Sequence, residues 1–285
     1  MSEKSEVRSQ KAEGQSLLAV FAHPDDESLA CGGLLAWCAA LGVRVSLLCV
    51  THGAHARAND TSPPTVDDIR AAELRDAAGC LGVDIDAVTL LDYEDGMLAW
   101  VDADPLEQAI RTEIRRLRPD VVITFDEDGL YWHPDHIAVH ERTTAVIAAL
   151  DIDDAAPTLY YVTMPSGAMR AVVSHGAAVT ASRDPYAAPP GSILGVEDAD
   201  AFGAEAAPPS LVVKTGTYAV RKLRALACHR SQFRDCALAL VGEDDAPHLL
   251  GTEQYRRANV GAQHDTFIEQ LAAPQAALES GSAQT

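Results

Sequence analysis

Two short runs carry most of the polar chemistry of this 285-residue chain: His23-Pro24-Asp25-Asp26-Glu27 and His133-Pro134-Asp135-His136. Each follows an apolar run, Leu17–Phe21 or Val121–Phe125, and each precedes a helical pattern. Together they hold three histidines and four carboxylates. Two histidines and one carboxylate make a ligand set for a divalent cation, and zinc takes N and O donors while keeping a position open for water. His23 and Asp26 are three residues apart on one tight turn, so both can face one ion, and His136 can supply a third ligand. Asp25 is then left free beside metal-activated water, where a base is needed. His133 is expected across the reacting carbon, with Asp135 available to orient it. Singly, each run has a plainer reading: Asp25 and Asp26 suit an N-cap and a first turn, and His133 and His136 suit an exposed first turn. The presence of both runs, each between a strand and a helix, favours a joint site.

For the runs to meet, the fold must bring together segments more than 100 residues apart. Apolar runs at Leu17–Phe21, Val43–Val50, Ala87–Leu91 and Val121–Phe125 read as strands. Between and after them, Ser28–Leu41, Asp67–Leu81, Pro105–Leu117 and Pro134–Leu150 read as helices. Repeated β–α units imply right-handed crossovers and a mostly parallel sheet, an α/β fold of three layers with helices on both faces. A doubly wound order 3-2-1-4-5 sets strands 1 and 4 side by side, so the loops at their C-terminal ends share one crevice. Farther along, Leu159–Val162 and Ser210–Lys214 read as strands and Tyr218–Phe233 as one helix. Ala181–Pro209, rich in Pro, Ala, Gly and acids, reads as a long loop or lid. Residues 16–272 are expected to form one domain between disordered tails at 1–15 and 273–285.

With 47% hydrophobic residues and 22% charged, the chain can bury a large core, which excludes whole-chain disorder. The formal net charge of −20 repels phosphate backbones and anionic lipid surfaces, so neither nucleic acid nor membrane is an expected partner. The six cysteines form no C-x-x-C pair, and the polar opening MSEKSEVRSQKAEGQS has no apolar signal region. A cytoplasmic location follows as the expectation, with assembly into a homo-oligomer left open.

The AHPDDE run at Ala22–Glu27 with HPDH at His133–His136 resembles the LmbE/PIG-L family of zinc-dependent N-deacetylases. Arg70 and Glu73 before Leu81-Gly82-Val83, YEDGML at Tyr93–Leu98, and K-x-x-A-x-x-x-H-x-S-Q from Lys222 to Gln232 agree with it, so the likeness spans roughly residues 16–235. It implies a Rossmann-like fold and hydrolysis of an N-acyl group, usually acetyl on a glucosamine-type sugar or its glycoside. It implies His23, Asp26 and His136 as zinc ligands and Asp25 as general base. His133, oriented by Asp135, would hold the tetrahedral intermediate or protonate the departing amine, and Tyr131 would lean into the pocket. Trp132 stands where the family usually has a small residue. Asp95, in the turn after strand 3, is expected at a sugar hydroxyl or as a simple turn residue; Arg70 is expected in a helix-surface or structural pair with Glu73, or at the substrate.

Three alternatives stay open at this stage. A mycothiol S-conjugate amidase would cut a larger amide at the same sugar nitrogen. A non-haem Fe(II) enzyme uses a similar ligand set, so Fe2+ is the alternative ion; the free Asp25 favours hydrolysis. A metal-binding protein without turnover would not need every polar residue of a hydrolase.

Overall fold

In the computed structural model, which describes residues 14–53, 64–150 and 156–272, strand β1 (Ser16–Phe21) is buried along its whole length. It lies between β2 (Arg44–Thr51) and β4 (Val121–Phe125) and runs parallel to both. β3 (Val88–Tyr93) extends the sheet beyond β2, and β5 (Thr158–Thr163) extends it beyond β4, again in parallel. β7 (Thr252–Gly261) then pairs antiparallel with β5, and β6 (Leu211–Lys214) forms the edge, antiparallel to β7. The sheet order is therefore β3-β2-β1-β4-β5-β7-β6, and its first five strands follow the expected order.

Unbroken burial of β1, β4 and β5 is what a sheet covered on both faces requires. On one face α1 (Asp26–Ala40) packs with α2 (Val66–Leu81) and α6 (Ala219–Cys228). On the other, α3 (Ala103–Leu117) packs against α4 (Pro134–Ala148). Local chemistry sets several boundaries. Thr65 and Asp68 form a reciprocal capping box at the start of α2, and Gly82 ends it in the left-handed conformation. In α3, Leu106, Ile110 and Ile114 recur every fourth residue and are the buried stripe. No helix among the described residues is long and apolar enough to cross a membrane.

The second half departs more from expectation. Tyr218–Phe233 is not one helix: α6 stops at Cys228, His229 adopts φ −77, ψ 57, and a separate turn covers Arg230–Phe233. Helix α5 (Ala168–Arg183) precedes the expected loop and takes its first residues. In the rest of that loop Ile193 and Phe202 are fully buried, and Gly203 donates its N–H to the Leu130 carbonyl, so the segment is fastened to the β4 side of the sheet. A final helix, α7 (Phe267–Ala272), closes the described chain. The expected tail 273–285, and residues 1–13 of the other, lie outside the described residues.

One buried carboxylate couples the added strand β7 to both α1 and α6. Cys31 has non-helical angles (φ −140, ψ 17) inside α1, which breaks the regular hydrogen-bond ladder. The carboxylate of Glu253 accepts from the N–H groups of Gly33 and Leu34, both at 2.8 Å. It also accepts from Tyr255 Oη at 2.9 Å and pairs with Lys222 Nζ at 2.7 Å. Only glycine fits at 33, because a Cβ there would come within 2.5 Å of Thr215 Oγ1. Replacing Glu253 by Ala strands a buried ammonium and two N–H groups together. Glu253→Ala is expected to lose about 3–5 kcal/mol in urea unfolding; a loss below about 1 kcal/mol would show that the pair is not structural.

Candidate active site

The C-terminal ends of β1 and β4 deliver the two histidine runs to one place. Asp26 opens α1, and its Oδ2 accepts the His23 N–H at 2.8 Å, which closes the turn after β1. His136 sits in the first turn of α4, its ring stacked on Phe125 at 4.0 Å and its Nδ1 bonded to the Gly129 carbonyl at 3.0 Å. A Cβ at Gly129 would lie 2.9 Å from the His136 Cβ, so this approach also needs glycine.

Three side chains converge here. His23 Nδ1 lies 3.1 Å from His136 Nε2 and 3.3 Å from Asp26 Oδ2, while Asp26 Oδ1 lies 3.2 Å from His136 Nε2. Zinc–ligand bonds of about 2.0–2.1 Å imply edges of about 3.3 Å between the donors of a tetrahedral site. The tautomers agree with a cation. The Gly129 carbonyl fixes the proton of His136 on Nδ1, and the carboxylates of Asp95 (3.0 Å) and Asp135 (3.3 Å) hold the proton of His23 on Nε2. With the protons so placed, the two imidazole nitrogens left facing each other would present lone pairs to a cation, beside a carboxylate. The donor set therefore fits a divalent ion.

Two other groupings have donor atoms within 4.8 Å of one another: His23 with His133 and His136, and His23 with Asp95 and Asp135. In the first, His133 Nδ1 already accepts the Asp135 N–H at 3.2 Å. In the second, the carboxylates face the His23 nitrogen that carries the proton. The His23, Asp26 and His136 set meets neither conflict.

Asp25, Asp26 and Glu27 are three consecutive buried acids, 8%, 4% and 2% exposed. Asp25 makes no capping bond with its side chain and has φ 117, ψ −26. Arg70 from α2 bonds its carboxylate at 3.1 Å and also binds the carbonyls of Pro24 and Gly53. Burial pushes the Asp25 carboxyl up to about 7, against the pull of Arg70 and with the push of Asp26. Burial acts on Asp26 the same way, but His136 and His23 outweigh it and hold that carboxyl far below its usual range.

Asp135 needs a correction. Its carboxylate does not meet His133; it accepts from the Gly96 N–H at 2.7 Å and the Leu98 N–H at 3.0 Å and faces His23. Only its backbone N–H meets His133, as the N-cap bond of α4. Asp135 thus ties the β3 loop, with Asp95, to His23. Of the two readings of Arg70 and Glu73 the surface one fails, since both are buried; Glu73 accepts from Ser231 N and Oγ. Sequence reading passed over Glu27 as a functional residue. Its Oε1 accepts from His229 Nε2 at 2.9 Å, a partner 202 residues away that no local pattern discloses.

Tyr131 lies in a turn where Gly129, Leu130 and Trp132 all have positive φ (53°, 67° and 64°). Left-handed geometry at Leu130 and Trp132 is costly for side chains with a Cβ. The Trp132 and Leu130 N–H groups are held by Asp128, so Trp132 is accommodated with its indole half-exposed. The Tyr131 ring packs on Phe202 at 4.8 Å and on His136 at 5.1 Å, and burial with nearby Asp26, Asp25 and Asp95 keeps its phenol protonated. Burial and the neighbouring His136 and His23 push His133 down to about 4.

The PIG-L family profile, described as GlcNAc-PI de-N-acetylase, matches residues 18–147. A 1D-myo-inositol 2-acetamido-2-deoxy-alpha-D-glucopyranoside deacetylase of Acidothermus cellulolyticus is 33% identical over 274 residues, covering 85% of this chain and 88% of that protein. This chain belongs to the PIG-L family. A Rhodococcus jostii protein of the same name is 38% identical over 155 residues, 47% of this chain and about half (53%) of its own length. Among solved structures, the N,N'-diacetylchitobiose deacetylase of Pyrococcus horikoshii shares the fold, with TM-score 0.59 at 19% identity over 90% of this chain and 89% of that one.

In this PIG-L chain, His136→Ala is expected to abolish one-to-one zinc binding measured by metal analysis after dialysis. Asp135→Asn is expected to weaken it about 10–100-fold in a chelator competition. Unchanged affinity in both variants would contradict the ligand set.

Proposed function

We propose that this chain is a zinc-dependent amidohydrolase that removes the N-acetyl group from an N-acetylglucosamine-type glycoside. The observation that carries this reading is the convergence of two imidazole nitrogens and the Asp26 carboxylate within 3.1–3.3 Å, with the buried acid Asp25 one residue before Asp26. The relative that aligns along most of its length is named for deacetylation of an amino-sugar inositol glycoside, which supports acetyl over a larger acyl group. Six free cysteines, four of them buried, are in keeping with a reducing cytoplasm.

A zinc ion held by His23, Asp26 and His136 supplies Lewis acidity that activates water and polarises the amide carbonyl. Asp25 accepts the proton of the attacking water. Burial favours the protonated form of this carboxyl, so it can also return that proton to the nitrogen as the C–N bond breaks. The products are the free amine and acetate. His133 receives the Asp135 N–H on Nδ1, so its neutral ring carries its proton on Nε2 and can donate to the oxyanion. The protonated phenol of Tyr131 is a second donor for the same oxygen. Asp95 holds His23 through Oδ1, and on this reading it stands beside a sugar hydroxyl of the substrate. Arg70 is committed to Asp25 and acts on the substrate through that carboxylate. Fe2+ suits the same donors, but a base beside them favours hydrolysis over oxygen chemistry.

Release of free amine from 1D-myo-inositol 2-acetamido-2-deoxy-α-D-glucopyranoside, dependent on zinc and abolished by chelation, is the expected activity. Asp25→Asn should lower kcat by about 10²–10⁴-fold with zinc content unchanged. Near-normal turnover in that variant would remove Asp25 from the mechanism.

A further inference from the structure

We infer that Glu27 and His229 are positioning residues that clamp Asp25 in a conformation it would not otherwise keep. The inference rests on the reading of Asp25 as the base. Among the described non-glycine residues with positive φ, Asp25 is the farthest from ordinary geometry, at 117° against 67° or less for the others. Such a conformation costs of order 1–3 kcal/mol and persists only where its surroundings enforce it. The side chain of Asp25 makes no capping bond that would explain it.

The enforcing contacts form a closed circuit. The Asp25 N–H donates to Glu27 Oε2 at 3.0 Å. The other oxygen of Glu27 accepts from the Ser28 hydroxyl and from His229 Nε2 at 2.9 Å. Glu27 is 2% exposed and His229 fully buried, so no water competes for these bonds. His229 stands at the break after α6, and two residues later Ser231 donates to Glu73 of α2 through N (2.8 Å) and Oγ (2.6 Å). Helix α2 also carries Arg70, which returns to the Asp25 carboxylate and the Pro24 carbonyl. The base is thus gripped at its N–H by a carboxylate and at its carboxylate by a guanidinium. The metal side is anchored separately, since Asp26 is fixed by the His23 N–H. A loosened clamp should therefore move the base and leave the ligand set intact.

The break at His229 gains a purpose from this geometry. The backbone there leaves the helical region (φ −77, ψ 57), and the His229 Nε2 lies 2.9 Å from Oε1.

His229→Phe keeps a ring without the donor, and His229→Gln restores an N–H. For each, kcat and KM for amine release, bound zinc and the crystal structure are compared with wild type. His229→Phe is expected to lower kcat about 10–100-fold, in line with a misplaced reacting group. KM should stay within about twofold and one zinc should be retained. Asp25 should relax out of the positive-φ region, and His229→Gln should recover most of the lost rate. An unchanged kcat, a loss of rate that only tracks loss of zinc, or Asp25 still at its wild-type φ would overturn the clamp. If His229→Phe does not fold, Glu27→Gln is read by the same criteria. Should wild-type enzyme fail to release amine, the proposed reaction fails, and the φ of Asp25 in the variants alone decides the clamp.

Discussion

Two imidazole lone pairs held 3.1 Å apart, with a carboxylate within 3.3 Å of both, are the contact on which the site depends. That arrangement is repulsive unless a proton or a cation is shared, and the proposed reading gives that place to a cation. The rest of the neighbourhood holds the repulsive geometry in place. Phe125 and the Gly129 carbonyl fix the His136 ring, while Asp95 and Asp135 fix His23 from behind. The parallel pairing of β1 with β4 makes it possible, because both strands end at the same side of the sheet.

Around this centre the fold gives three adjacent acids three different charge environments. Asp26 faces two histidines and stays ionised, Asp25 faces one guanidinium from a desolvated position, and Glu27 faces His229. Neighbouring carboxyls whose proton affinities are driven apart are how one site separates a ligand from a base. Each partner comes from a different element: α2 for Arg70, α4 for His136, and the break after α6 for His229. Within a chain of −20 net charge, these three buried acids are each given a basic partner by the fold.

The parallel half of the sheet was readable because its strands are unbroken apolar runs and its helices carry local caps. The two histidine runs were readable because each is short and lies at a strand end. Partners were not. Asp135 was expected on His133 by proximity, yet its carboxylate meets the N–H groups of Gly96 and Leu98, a contact set by how the β3 loop folds back. Arg70 and Glu73 share a helix face by spacing, but burial sends them to Asp25 and Ser231. Strand β7 escaped notice because Glu253, Arg256 and Arg257 interrupt its alternation; Glu253 and Arg256 have partners across the sheet, on α1 and at Asp126. Helix α5 mixes Val172, Val173 and Val179 with Gly176, which blurs a helical period.

Anomalous diffraction at the zinc edge, from crystals of the zinc-loaded protein, tests the central assignment most directly. The expected result is one peak bonded to His23 Nδ1, Asp26 and His136 Nε2, with the Asp25 carboxylate beside it and unligated. A peak on His23 Nε2 with Asp95 and Asp135, or one ligated by Asp25 itself, would contradict it.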